Sequence, residues 1–90
     1  MLEFEWDPEK ARANARKHGV TFFEASEVFD DDHSLSVRDP DHSADEGRYL
    51  IFGMSKVGRH LVVSYTDRNG RIRLISARPM TPRERRAYEQ

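Results

Sequence analysis

Between residues 48 and 78 the chain alternates apolar and polar residues in three runs broken by glycine-containing turns. The sharper turn is Asn69-Gly70, set between Tyr65-Thr66-Asp67-Arg68 and Arg71-Ile72-Arg73-Leu74. A period of two marks a strand with one buried and one polar face, and Asn-Gly between two such runs favours the type I′ turn whose twist suits a hairpin. The spacing predicts an antiparallel meander with strands near 48–55, 60–67 and 71–78 and turns at Val57-Gly58 and Asn69-Gly70. Two-residue loops in both hairpins would place Tyr65 opposite Leu74 and Leu50, and Val63 opposite Ser76 and Phe52. Leu50, Phe52, Met54, Leu61, Val63, Tyr65, Ile72 and Leu74 then share one face, with Arg48, Asp67, Ser76 and Arg78 at its rim. Tyr49, Ile51, Val62, Ser64, Thr66, Arg68, Arg71, Arg73 and Ile75 share the other. That second face is too apolar for plain surface and too basic for a core, so it is expected to bind a partner or to lie partly under a helix.

Helices flank this meander. Leu2, Phe4 and Trp6 alternate with Glu3 and Glu5 as a short edge strand. Asp7-Pro8-Glu9 then supplies an N-cap, a first-turn proline and an acid at the positive helix end. Gly19 ends that helix after Arg16-Lys17-His18, and its apolar stripe is thin: Ala11, Ala15 and Ala13. Thr21-Phe22-Phe23-Glu24 reads as a capping box, followed at helical spacing by Phe22, Ala25, Val28 and Phe29, the main helical contribution to the core. Asp30-Asp31-Asp32 suits a turn better than a helix C-terminus. Leu35 and Val37 suggest a short strand, and residues 39–47 a polar loop. A final helix starts at Thr81-Pro82, with Glu84 completing a second Thr-x-x-Glu box. Ninety residues suffice for one domain with one small core, read over 1–90.

The absence of cysteine rules out disulfides and thiolate metal sites, and the acidic start shows neither a signal peptide nor a membrane span, which fits a soluble cytoplasmic protein. The net charge of −1 conceals an asymmetry: residues 1–46 carry 13 Asp/Glu and 5 Lys/Arg, residues 47–90 carry 3 and 10. A basic half is an electrostatic footprint for a polyanion; alternatively, the two halves neutralise each other across the fold.

No glycine-rich phosphate loop, metal-spaced histidine pair or nucleophile elbow is present. What remains is arginine, six of them from Arg71 to Arg86 alone, beside a few proton-transfer groups. Arginines on one face hold a phosphodiester through bidentate contacts and stabilise charge developing on it. Cleaving RNA further needs a base for the 2′-hydroxyl and an acid for the leaving oxygen. Glu46, His18, His60 and Tyr65 are the side chains of suitable type, each with an ordinary structural explanation as well. Strand and helix geometry assigns Arg68, Arg71, Arg73 and Arg83 to the phosphate backbone and leaves the four proton-transfer candidates open. By strand parity Arg71 and Arg73 face away from the helices, whereas Arg78 sits on the core-side parity where Arg83 and Arg85 could turn back toward it. The rival reading is a non-catalytic nucleic-acid or protein-binding module using the same arginines. An antitoxin-like DNA binder fits less well, because the basic residues lie mainly on strands.

Phe4-x-Trp6-Asp7-x-x-Lys10, Asn14-x-x-Lys17-His18-Gly19-Val20-x-Phe22, Ala25, Val28-Phe29, Glu46-x-Arg48, Gly53, Leu61-Val62-Val63, Ile75-Ser76-Ala77-Arg78, Glu84-Arg85 and Tyr88 together resemble the BrnT family of type II toxin-antitoxin toxins. The resemblance implies an α+β, RelE-like fold, with two N-terminal helices packed on an antiparallel β-sheet meander and a C-terminal helix. It implies an endoribonuclease that inhibits translation and growth by cleaving RNA; the clustering of cations beside those few titratable groups leads us to expect metal-independent cleavage by 2′-hydroxyl attack, with no cofactor. A BrnA-type ribbon-helix-helix antitoxin would neutralise it in a heterotetramer that meets operator DNA only through the antitoxin. Lys17, His18, Glu46, Arg48, Arg78 and Arg85 fall within the family pattern. Catalysis is accordingly expected from Glu46, His18, Arg48, Arg78 and Arg83, and RNA binding from Lys17, Arg68, Arg71, Arg73, Arg85 and Tyr65. The mixed face with Tyr49, Ile51 and Ile75 is the expected antitoxin surface, so that inhibition would be steric.

Overall fold

The alternating runs form Arg48–Met54 (β3), His60–Arg68 (β4) and Arg71–Pro79 (β5), an antiparallel meander in the computed structural model, which describes residues 2–42, His42 by its backbone alone, and 47–89. Leu35–Arg38 (β2) pairs antiparallel with β3, and Glu3–Glu5 (β1) pairs parallel with β5, giving the order β1-β5-β4-β3-β2. The sheet is therefore mixed at one edge, a pairing the strand pattern alone does not reveal. At the tight turn Asn69 and Gly70 take φ of 56° and 83°, both positive as a type I′ turn demands, and Arg68 faces Arg71.

Both expected registers need correction. The β3–β4 connection is Ser55 to Arg59, closed by Met54 opposite His60, instead of a two-residue turn at Val57-Gly58. Ser55 N donates to Arg59 O (2.9 Å), and Arg59 N donates to the Ser55 hydroxyl (3.2 Å), so a side chain stands where a backbone acceptor was expected. The resulting one-residue slip sets Tyr65 against Tyr49 and Val63 against Ile51, in place of Leu50 and Phe52. Tyr49 and Ile51 thus turn inward, Ile51 to 4% exposure, while Leu50, Phe52, Met54 and Arg48 move to the second face. On the other side Tyr65 does face Leu74, but Ser64 faces Ser76, so Ile75 is an extra residue in β5. Beyond that bulge Val63 faces Ala77, not Ser76, and Arg78 lands opposite Val62. Arg78 therefore shares the second face with Arg71 and Arg73 and does not lie on the core-side parity.

The first face carries the core. Val20, Phe22, Ala25 and Val28 pack on Ile51, Leu61, Val63, Ile72, Leu74 and Ala77, with Phe4, Trp6, Phe29 and Tyr65 around them. Gly53 on this face faces Val28 so closely that a Cβ would lie 2.8 Å from Val28 Cγ1, which explains a glycine mid-strand. Pro8–His18 (α1) is capped by Asp7, which accepts from Glu9 N (2.8 Å), and ends at Gly19 with φ of 68°. Phe22–Glu27 (α2) is shorter than its apolar spacing suggests and continues as a 3₁₀ turn at Val28–Asp30. Thr21 caps it through Glu24 N (3.0 Å), but the box stays half-made because the Glu24 carboxylate is taken by Arg59 and Ser55. The last helix, Pro82–Tyr88 (α3), has the complete box expected of it.

The thin alanine stripe of α1 has a polar explanation. Ala13 is exposed, and the buried member is Asn14, 7% exposed. Its amide donates to Ala77 O (2.8 Å) and Val20 O (3.0 Å) and accepts from Ala77 N (3.0 Å). Because β1 pairs with β5 only from Arg71 to Arg73, Asn14 stands in for the missing strand at Ala77.

Candidate functional site

The second face can be laid out rung by rung. Glu3 and Arg71 lead to Arg68; Glu5, Arg73, Thr66 and Arg48 form the next complete row; Ser76, Ser64, Leu50 and Val37 follow; then Arg78, Val62, Phe52 and Leu35. The slip in β3 and the bulge in β5 together bring Arg48, Arg73 and Arg78 onto one face. Thr66 Oγ1 lies buried between Arg73 and Arg48 with no hydrogen-bond partner among the described residues.

Most of these arginines have carboxylate partners. Arg73 pairs with Glu5 (2.9 Å), Arg71 with Glu3 (3.4 Å) and Glu5 (3.9 Å), and Arg59 with Glu24. Each pair joins the acidic half to the basic half, so part of the charge asymmetry is spent inside the fold. Arg78 grips Glu84 through two parallel bonds of 2.8 and 2.9 Å and also donates to Pro79 O (3.1 Å). Arg83 and Arg85 do not turn back toward Arg78: Arg85 pairs with Glu89 one turn along α3 (3.3 Å), and Arg83 is exposed. Lys17, Arg68 and Arg83 have no ion-pair partner among the described residues and remain open to an anion.

Lys17 and His18 close α1 and line a groove of about 220 Å³ with Lys10, Ala13, Asn14, Ile75 and Ser76. This groove lies along the edge of β5 that β1 leaves uncovered, where the bulge pushes Ile75 and Ser76 outward. It places two lysines and a histidine beside the strand that carries Arg71, Arg73 and Arg78. Glu46 lies outside the described residues. Tyr65 is on the opposite face, between Phe29 (5.0 Å) and Tyr49 (5.6 Å), with its hydroxyl donating to Ser36 (3.1 Å), so the structure does not bring it to the arginines. His60 is largely covered, its ring edge against Tyr88 (5.6 Å) and its Nε2 3.5 Å from Glu89. Among the described residues no group of three His, Asp or Glu side chains is arranged to hold a metal ion.

Sequence reasoning missed the fastening of α3. This helix buries none of its residues and is held on the second face by polar contacts. Besides Arg78–Glu84 and His60–Glu89, the Tyr88 hydroxyl donates to Asp31, which also accepts from Met54 N (2.8 Å) and His33 N (2.9 Å). The hydrogen bonds from Arg78 pull the Glu84 carboxyl down to about 2, and burial together with Asp31 pushes the Tyr88 phenol up to about 12. The sign of each shift bounds the helix in pH. A lowered carboxyl stabilises the fold above its unfolded pKa, near 4.5, and the benefit is lost as pH falls toward 2; a raised phenol stabilises below about 10 and the benefit is lost toward 12. NMR signals of Ala87 and Tyr88 should therefore report α3 loosening in both windows before the core melts, with Glu84→Gln removing the Arg78–Glu84 part of the acidic transition and leaving the part that belongs to Asp31, whose carboxyl is also lowered and accepts from Tyr88.

Taken together, these features define a small α+β protein with a cationic strand edge suited to a polyanion. Among the described residues no helix is long and apolar enough to cross a membrane. No curated protein matches the chain. A family model described as the ribonuclease toxin, BrnT, of a type II toxin-antitoxin system matches residues 6–84, and the chain belongs to that family. The 1.1 Å crystal structure of the Brucella abortus ribonuclease toxin BrnT has the same fold, with a TM-score of 0.71 at 17% identity, covering 90% of this chain and 99% of that one. The chain is thus a BrnT-like ribonuclease toxin of a type II toxin-antitoxin system, a class that works with an antitoxin partner.

Proposed function

We propose that this chain, acting as one domain in the cytoplasm, is a metal-independent endoribonuclease that arrests growth by cutting RNA. The observation that carries the reading is the groove on the open edge of β5, where Lys10, Lys17 and His18 meet Ser76 on the strand bearing Arg71, Arg73 and Arg78. Lys17, Arg68, Arg71 and Arg73 hold the RNA backbone, with Arg83 and Arg85 extending the basic surface along α3. Arg48 and Arg78 face the scissile phosphate and offset its developing charge. His18 or Glu46 takes the proton from the 2′-hydroxyl, whose oxygen attacks phosphorus; the 5′-oxygen leaves with a proton from an acid or water. The products are a 2′,3′-cyclic phosphate and a 5′-hydroxyl. A BrnA-type ribbon-helix-helix antitoxin neutralises the toxin in a heterotetramer, and operator DNA is met only through that partner.

Purified protein with RNA in EDTA tests this. The expected result is cyclic-phosphate ends at the rate seen without chelator, reduced about 100-fold in His18→Ala if that ring is the base. Complete loss in EDTA would remove the metal-independent mechanism, and salt-sensitive binding without products would favour the binding-module reading.

A further inference from the structure

The edge strand β2 is unusually open for a soluble sheet. All four residues are exposed, Leu35 to 59% and Val37 to 39%; Arg38 is the one charge within the strand, and among the described residues no further strand pairs with its outer edge. Its hydrogen-bonding direction follows from its pairing. Asp39 N donates to Arg48 O (3.1 Å), and bonded pairs alternate along an antiparallel ladder, so Val37/Leu50 and Leu35/Phe52 are the other bonded pairs. The N–H and C=O of Ser36 and Arg38 therefore point away from β3. Beside this edge, Leu35 and Phe52 line a groove of about 230 Å³ with Glu84, Ala87 and Tyr88 of α3.

We propose that β2 is the docking strand for the antitoxin, which adds an extended segment to Ser36 and Arg38 and seats an apolar side chain in the groove beneath α3. This rests on the toxin reading above. Charge selects the occupant. Of the five aspartates in residues 30–41, Asp30, Asp32 and Asp41 are exposed against Arg38 alone, so the added segment has Lys or Arg flanking its apolar residue. A second copy of this chain is disfavoured, because two-fold antiparallel pairing of β2 would set Asp30-Asp31-Asp32 of one copy beside the Asp39–Asp41 end of the other. The site is remote from the β5 groove, being separated from β5 by β3 and β4.

Ser36→Pro removes an outward N–H without touching the β2–β3 ladder, and Ser36→Ala keeps it. Both lose the Tyr65 hydrogen bond. The expected result is that the cognate antitoxin binds Ser36→Pro about 100-fold more weakly than Ser36→Ala, while the two variants cleave RNA equally. In wild-type protein, hydrogen exchange at the amides of Ser36 and Arg38 slows when antitoxin is added, a readout that needs no variant. Equal antitoxin affinity of the two variants, or unchanged exchange at both amides, overturns the proposal. So does a wild-type dimer that Ser36→Pro dissociates while antitoxin still binds. Were wild-type protein neither to cleave RNA nor to bind antitoxin, the toxin mechanism itself would fall; cleavage with unaltered binding of Ser36→Pro sinks only the docking strand.

Discussion

Asn14→Leu is expected to lower the melting temperature by about 20 °C. The substitution fits the volume of the site but removes every hydrogen bond the amide makes, leaving Ala77 N–H, Ala77 C=O and Val20 C=O without that partner in residues that are 0% exposed. Orphaning a buried backbone group costs roughly 1–3 kcal/mol, so the loss is about 4 kcal/mol even if one carbonyl relaxes toward water. For a domain of this length each kcal/mol moves the midpoint by about 4–8 °C. The total stability of such a domain is only about 5–10 kcal/mol, which makes Asn14 one of the most consequential positions in the chain. Asn14→Asp should be no better, since a carboxylate accepts from Ala77 N but turns its second oxygen toward carbonyls. Ala13→Ser, one residue away and exposed, serves as the control and should melt within about 3 °C of wild type, as surface changes shift stability by under about 0.5 kcal/mol. A shift below 5 °C in Asn14→Leu would mean that β5 does not depend on α1 for its edge.

Asn14 also shows where the sequence stops being informative. Caps and tight turns are local chemistry, so Asp7, Gly19, Thr81 with Glu84, and Asn69-Gly70 announce their elements and boundaries, and the α+β class with them. A polar residue in the middle of a helix carries no mark that it will face Ala77, which lies 63 residues away. Face assignments failed for a related reason. They propagate along a strand, so one hydroxyl at Ser55 and one extra residue at Ile75 were enough to turn Ile51 inward and Leu50, Phe52 and Arg78 outward. Neither event breaks the period-two alternation of the sequence. Glu84 was legible as a capping residue and its second task, gripping Arg78, was not, because the two roles use the same carboxylate. The groove at Lys17 and His18 depends on β1 stopping at Glu5, a pairing between distant parts of the chain that only the folded structure supplies.

Under the proposed mechanism, Arg78→Ala is expected to reduce RNA cleavage by about 100- to 1,000-fold and to abolish growth arrest, the magnitude associated with losing a principal donor to developing phosphate charge. The variant changes two things at once, since it removes a guanidinium from the second face and cuts α3 loose from Glu84. Glu84→Gln separates them. It breaks the same ion pair from the other end and weakens the helix anchor, but leaves Arg78 in place with its charge no longer offset. Three of the five N–H donors of Arg78 are engaged, two by Glu84 and one by Pro79, so losing that carboxylate frees more of the fork for a phosphate. If Arg78 acts on RNA, Glu84→Gln retains kcat and lowers KM, most visibly at low salt, while Arg78→Lys keeps the charge but loses the paired geometry and falls between wild type and alanine. If Arg78 serves only to fasten α3, Glu84→Gln and Arg78→Ala lose activity to the same extent. Equal loss in those two variants, with circular dichroism confirming that both remain folded, would move Arg78 out of the cleavage step.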